Sequence, residues 1–233
     1  MIIFIIIILC IYLFAIITDN PYNDYSKDDM INMYILRQMY SNDNPIDMIS
    51  DYKFIEKTDT NIVYENTDMI KFLIRGTYSI NDIITISKYY IGINTIKEST
   101  IYKNTIILLE KYKNKKIYLI GHSLGSLIAN IIMNETDYNF INNKMLSFFD
   151  GLQSIVLNNN TNIINFKYDI FSYISLIKHK INTSMYNNPI PINIYDIVYS
   201  HCCFYNNNDI IKKINLLNFL FIIIISITLF LYY

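Results

Sequence analysis

Apolar residues are distributed along this chain in two distinct ways. At each end they form an unbroken run. Met1–Thr18, MIIFIIIILCIYLFAIIT, holds no charged residue, and neither does Ile214–Tyr233, INLLNFLFIIIISITLFLYY. Between the two runs the apolar positions recur with helical or strand spacing. Helical spacing predicts helices over Asp28–Tyr40 (Met30, Ile31, Met33, Tyr34 and Leu36), Ile80–Tyr90, Ile96–Tyr112 and Leu124–Asn134 (Leu127, Ile128, Ile131 and Ile132). Short, Ile-rich runs predict strands at Asn61–Tyr64, Met69–Ile74, Lys116–Ile120, Lys144–Phe149 and Ile163–Tyr168. Nearly continuous apolar strands alternating with helices belong to a mostly parallel sheet buried on both faces.

The terminal runs set the expected organisation. Residues 1–18 read as a signal peptide or membrane anchor, 22–212 as one domain, and 214–233 as a C-terminal transmembrane segment following Lys212 and Lys213. Roughly 20 apolar residues suffice to cross a hydrocarbon core. The expected setting is therefore a membrane, reached through the secretory or endomembrane system, with its sidedness left open. The net charge is -1 and nothing in the composition calls for a nucleic-acid partner. The 3 cysteines, Cys10, Cys202 and Cys203, show no metal-ligand spacing and no readable disulfide framework. No cofactor or metal is implied.

One short stretch carries chemistry. KIYLIGHSLGSLIA, Lys116–Ala129, contains Gly121-His122-Ser123-Leu124-Gly125 between a predicted strand and a predicted helix. With 5 glycines in 233 residues, a chance G-x-S-x-G is expected on the order of 0.01 times per chain, before the flanking elements are required. A serine hydroxyl is a weak nucleophile until a base sits beside it and its oxyanion is stabilised. The strand-to-helix turn lifts Ser123 out of the sheet, and the Leu124 N–H at the helix start can face developing negative charge. His122 reads as a packing residue. The base is then His201, late in DIVYSHCCF, with His179 as the alternative. The acid is Asp169, directly after the strand IINFKY, with Asp150 one strand earlier as runner-up and Asp196 as a loop-orienting residue.

These residues resemble class 3 (fungal-type) lipases of the α/β-hydrolase superfamily. IKFLIRGTYSINDII, Ile70–Ile84, is similar to that family's strand ending in an arginine-glycine-threonine turn. IYLIGHSLGSLIANI is similar to its nucleophile elbow, FKYDIFSYIS to its acid segment and YSHCCF to its histidine segment. The chain departs from the family at Ser126 and Ile83, and in FFDGLQS. The resemblance implies an α/β-hydrolase fold, Ser123 as nucleophile, Asp169 as acid, His201 as base, and oxyanion donors at Thr77 and Leu124. Arg75, Gly76 and Asp82 would be structural. The implied activity is hydrolysis of a carboxylic ester of an acyl lipid, of triacylglycerol lipase, phospholipase A1 or esterase type. The competing reading is a catalytically silent, membrane-anchored binding or scaffold protein.

Overall fold

A computed structural model describes residues 26–40, 44–90, 93, 95–146, 161–166 and 183–186. The two apolar termini, and with them the expected anchors, lie outside the described residues. Among the described residues no helix is long and apolar enough to cross a membrane.

Helix α1 (Lys27–Tyr40) precedes strands β1 (Met48–Ile49), β2 (Tyr52–Lys57), β3 (Asn61–Glu65) and β4 (Ile70–Ile74). Helix α2 (Ile80–Tyr90), a 3₁₀ turn (Ile96–Glu98) and α3 (Thr100–Glu110) lead to β5 (Ile117–His122). Helix α4 (Leu124–Glu135) then leads to β6 (Phe140–Leu146), followed by β7 (Thr161–Phe166) and β8 (Thr183–Tyr186). The eight strands lie side by side in chain order. β1 to β4 pair antiparallel, and β4 to β8 pair parallel. The sheet is thus mixed and mostly parallel, with helices packed on it, as the alternating pattern predicts.

Strands β4 and β5 are buried at every position, so their side chains divide between two cores by simple alternation. Phe72, Ile74, Ile117 and Leu119 face helices α2 to α4, meeting Ile86, Leu109, Leu127 and Ile128. Leu73, Tyr118 and Ile120 face the other way and meet Met33, Leu36 and Met39 of α1. Each such aliphatic side chain contributes roughly 1.5–3 kcal/mol when fully buried.

Helix α1 is fastened at both ends. Near its start, Lys71 of β4 is fully buried. Its Nζ donates to Asp28 Oδ1 at 2.5 Å and to Asn32 Oδ1 at 2.6 Å. The same ammonium lies 4.5 Å from the Tyr52 ring centre and 5.1 Å from that of Tyr118. Tyr118 completes the cluster by donating to Asp28 Oδ2 at 2.9 Å. A lysine in a dry core needs this enclosure, because an unpaired buried charge is very costly. Burial, with Asp28 beside it, holds the Tyr118 phenol far above its ordinary range.

Some boundaries differ from the expectation. The helix predicted over Ile96–Tyr112 is broken at Ser99, which is extended (φ -63°, ψ 147°) and accepts the Tyr102 N–H on its hydroxyl. N-capping outweighs periodicity there. The strand predicted at Lys144–Phe149 starts earlier, at Phe140, because ladder pairing with β5 recruits its polar start; its predicted end lies outside the described residues. Strand β8 and the β1–β2 hairpin have no counterpart in the apolar pattern. The hairpin turns on Ser50 at φ 57°, and β2 lies near the sheet edge with all but one of its residues partly buried or exposed.

Candidate active site

The chain leaves the buried strand β5 at His122 and enters α4 at Leu124. Ser123 makes the whole connection alone, at φ 51° and ψ -118°. A non-glycine residue in this region stores backbone strain and persists only when its surroundings hold it there. Here the surroundings are visible as missing space. A Cβ on Gly121 would come within 2.4 Å of the Gly125 carbonyl oxygen. One on Gly125 would lie 2.4 Å from the carbonyl oxygens of both Ile74 and Arg75. One on Gly76 would meet His122 Nδ1 at 2.8 Å and the Ser123 Cβ at 3.1 Å. Helix α4 therefore starts in direct backbone contact with the ends of β4 and β5, and the glycines flanking Ser123 are what allows it.

Ser126, where the resembling family has another glycine, is fully buried. It turns its hydroxyl back onto the Gly121 carbonyl at 2.6 Å, so the extra side chain is absorbed inside the elbow. Ser123 itself is half-buried, and among the described residues its hydroxyl has no hydrogen-bond partner. It does not cap the helix that it precedes.

The loop after β4 is held by an ion pair. Arg75 Nη1 donates to Asp82 Oδ2 at 2.7 Å, with both side chains nearly buried. The same oxygen accepts the N–H groups of Tyr78 at 3.0 Å and Ser79 at 2.8 Å. Arg75 also donates to the carbonyls of Asp59 and Gly76, each at 2.7 Å. The backbone N–H groups of this loop can be accounted for one by one. That of Arg75 goes to the Thr60 carbonyl, that of Gly76 to the Tyr40 hydroxyl, and those of Tyr78 and Ser79 to Asp82. Among the described residues the N–H and the hydroxyl of Thr77 alone have no acceptor. The first N–H of α4, at Leu124, is likewise unengaged among the described residues, as helix N-termini are. Arg75, Gly76 and Asp82 are thus structural in the way expected, and Thr77 and Leu124 offer uncommitted donors beside the elbow.

His122 is buried, and its Nδ1 lies 3.1 Å from the Tyr40 hydroxyl. It packs against Tyr40 at the end of α1, the packing position expected of it. Asp169 and His201, together with Asp150, His179 and Asp196, lie outside the described residues. Among the described residues no group of three or more His, Cys, Asp and Glu could hold a metal ion.

Comparison with known proteins gives a limited set of likenesses. No protein-family model matches the chain, and no curated protein matches its sequence. Among solved structures, the Lip2 lipase of Yarrowia lipolytica superposes with a TM-score of 0.41 at 13% identity, covering 66% of this chain and 76% of that one. A triacylglycerol lipase from Penicillium expansum gives 0.38 at 16%, covering 70% and 79%. The Rhizomucor miehei lipase propeptide complex gives 0.37 at 14%, covering 67% and 68%.

Sequence reasoning missed Tyr40. It is the last residue of α1 and reads as one more apolar helix position. Yet its hydroxyl touches both Gly76 and His122, 36 and 82 residues away. No local signal marks such a contact.

Proposed function

We propose that this chain is a serine hydrolase of α/β-hydrolase type that cleaves carboxylic esters of acyl lipids through a Ser123–Asp169–His201 triad. One observation carries the reading: a strained, half-exposed serine with an uncommitted hydroxyl stands beside the uncommitted donors of Thr77 and Leu124. Keeping a non-glycine residue in this conformation costs on the order of 1–3 kcal/mol. A connection serving only to join strand to helix would place a glycine there.

In this mechanism His201, oriented by Asp169, takes the proton from Ser123 Oγ as that oxygen attacks the ester carbonyl. The oxyanion of the tetrahedral intermediate is received by the donors of Thr77 and the Leu124 N–H. Collapse breaks the bond to the alcohol, which leaves with the proton held by His201, and the acyl group stays on Ser123. Water, deprotonated by the same histidine, then attacks the acyl carbonyl; the bond to Ser123 Oγ breaks, that oxygen takes the proton back from His201, and the fatty acid leaves. Side chains and water suffice for every step. The apolar termini would hold the domain at a bilayer, where such esters reside.

Kinetics on the intact protein test the assignment. Ester hydrolysis should fall by at least about 10³-fold in Ser123→Ala and in His201→Ala, and stay near wild type in His179→Ala. Full activity in His201→Ala with loss in His179→Ala would reverse the assignment of the base. A well-folded wild type inert toward esters of every chain length would overturn the hydrolase reading.

A further inference from the structure

We infer that Tyr40 is a positioning residue of the oxyanion hole, an inference that rests on the hydrolase reading above. The Tyr40 hydroxyl accepts the Gly76 N–H at 2.6 Å and lies 3.1 Å from His122 Nδ1. Gly76 immediately precedes Thr77, and His122 immediately precedes Ser123. One hydroxyl therefore ties the residue before the oxyanion donor to the residue before the nucleophile. It does so from a third element, the C-terminal end of α1.

The connection does two things. It engages the Gly76 N–H, so that this donor cannot compete with Thr77 for the substrate oxygen. It also fixes the end of β4 against the end of β5, whose separation sets the distance from Ser123 to the Thr77 donors. With the imidazole proton on Nε2, the Tyr40 O–H donates to Nδ1 and both bonds form at once. The ring is held in place as well. It stands edge-on to the His122 imidazole, with ring centres 6.1 Å apart, and 6.2 Å from the ring of Tyr78 in the oxyanion loop. An alignment of this kind matters to rate because a small misplacement of oxyanion donors is felt only in the transition state.

The test is Tyr40→Phe in the full-length protein, solubilised in detergent, assayed on p-nitrophenyl butyrate and titrated with an alkylboronic acid. The boronate mimics the tetrahedral intermediate. The expected result is a kcat about tenfold lower, KM within about twofold, and boronate affinity weakened about as much as kcat. A purely structural tyrosine would lower the folded fraction and leave the kcat of the folded enzyme and its boronate affinity unchanged. That result overturns the inference while leaving the hydrolase reading intact, provided that Ser123→Ala remains inactive. A folded wild type that neither hydrolyses the ester nor binds the boronate overturns both. Should Tyr40→Phe not fold, Tyr40→3,5-difluorotyrosine keeps the ring and makes its O–H a stronger acid. Activity lost at lower alkaline pH than in wild type then supports the inference, and a superimposable pH profile overturns it.

Discussion

Gly125→Ala is the substitution whose consequence follows most directly from the geometry. Its new methyl would sit 2.4 Å from the carbonyl oxygens of Ile74 and Arg75, whereas real Cβ contacts essentially never fall below 3.0 Å. The helix and the end of β4 must therefore separate by about 0.6 Å, the difference of those two values. Both obstacles are backbone atoms, so no rotamer change relieves the contact. Overpacking of this kind costs about 1–3 kcal/mol, partly offset by the higher helix propensity of alanine. The displaced segment leads into Gly76 and Thr77, so the oxyanion donors move with it. Misplacement approaching 1 Å can cost about 10²-fold in rate. The assay is kcat on a soluble ester beside a thermal melt. The expected outcome is a protein that still folds, melts lower, and retains about 1% of wild-type kcat. A Gly125→Ala enzyme with wild-type kcat would refute the claim that close contact between α4 and β4 sets the oxyanion geometry.

Other outcomes follow from the ion pairs and the buried phenols. Asp28→Asn should destabilise more than Lys71→Met, by about 1–2 kcal/mol in denaturant melts. The first takes the Asp28 charge away from a fully buried ammonium, and the second leaves a carboxylate that is 43% exposed and can hydrate. Asp82→Asn should cost about 2–4 kcal/mol and lower kcat as well, since the Asp82 carboxylate holds Arg75, Tyr78 and Ser79 together. Equal stability in circular dichroism melts would contradict it. On the alkaline side, burial pushes the Tyr52 and Tyr64 phenols up from 10.0 to about 12. The unfolded chain therefore loses these protons first, and stability should be intact below pH 10 and fall as pH rises toward 12. The loss is roughly 1–3 kcal/mol for each phenol. Tyrosinate absorbance and ellipticity recorded together check this, and phenols titrating at their ordinary value without unfolding would contradict it.

The contrast between legible and illegible features has a physical basis. The elbow was legible because close backbone approach admits only glycine at Gly121 and Gly125, and that constraint is written at fixed spacing. Strands β4 and β5 were legible because burial on both faces demands continuous apolar runs. The Ser79–Asp82 helix start was within reach for the same local reason, a short polar pattern with one geometric meaning. The Lys71 cluster was not. A lysine in IKFLI is one charged position in an apolar run, and nothing local shows that the fold brings Asp28 and Asn32 over it. Tyr40 was illegible for the same reason, since its partners come from two other segments. The break at Ser99 shows a third case, in which a cap competes with a helical period and only packing decides. Strand β2 lacks a clear pattern because its position near the sheet edge leaves all but one of its residues partly buried or exposed.

Every role proposed for this site depends on Ser123 acting as a nucleophile. Peptide-mapping mass spectrometry after treatment of the intact, detergent-solubilised protein with a fluorophosphonate tests it most directly. Reaction at the serine forms a phosphorus–oxygen bond and expels fluoride, as a tetrahedral adduct held by the same oxyanion donors. One adduct is expected, on Ser123, absent after heat unfolding and absent from Ser123→Ala. Folded protein that carries no adduct at Ser123, or carries it on another serine, would show that Ser123 is not the nucleophile.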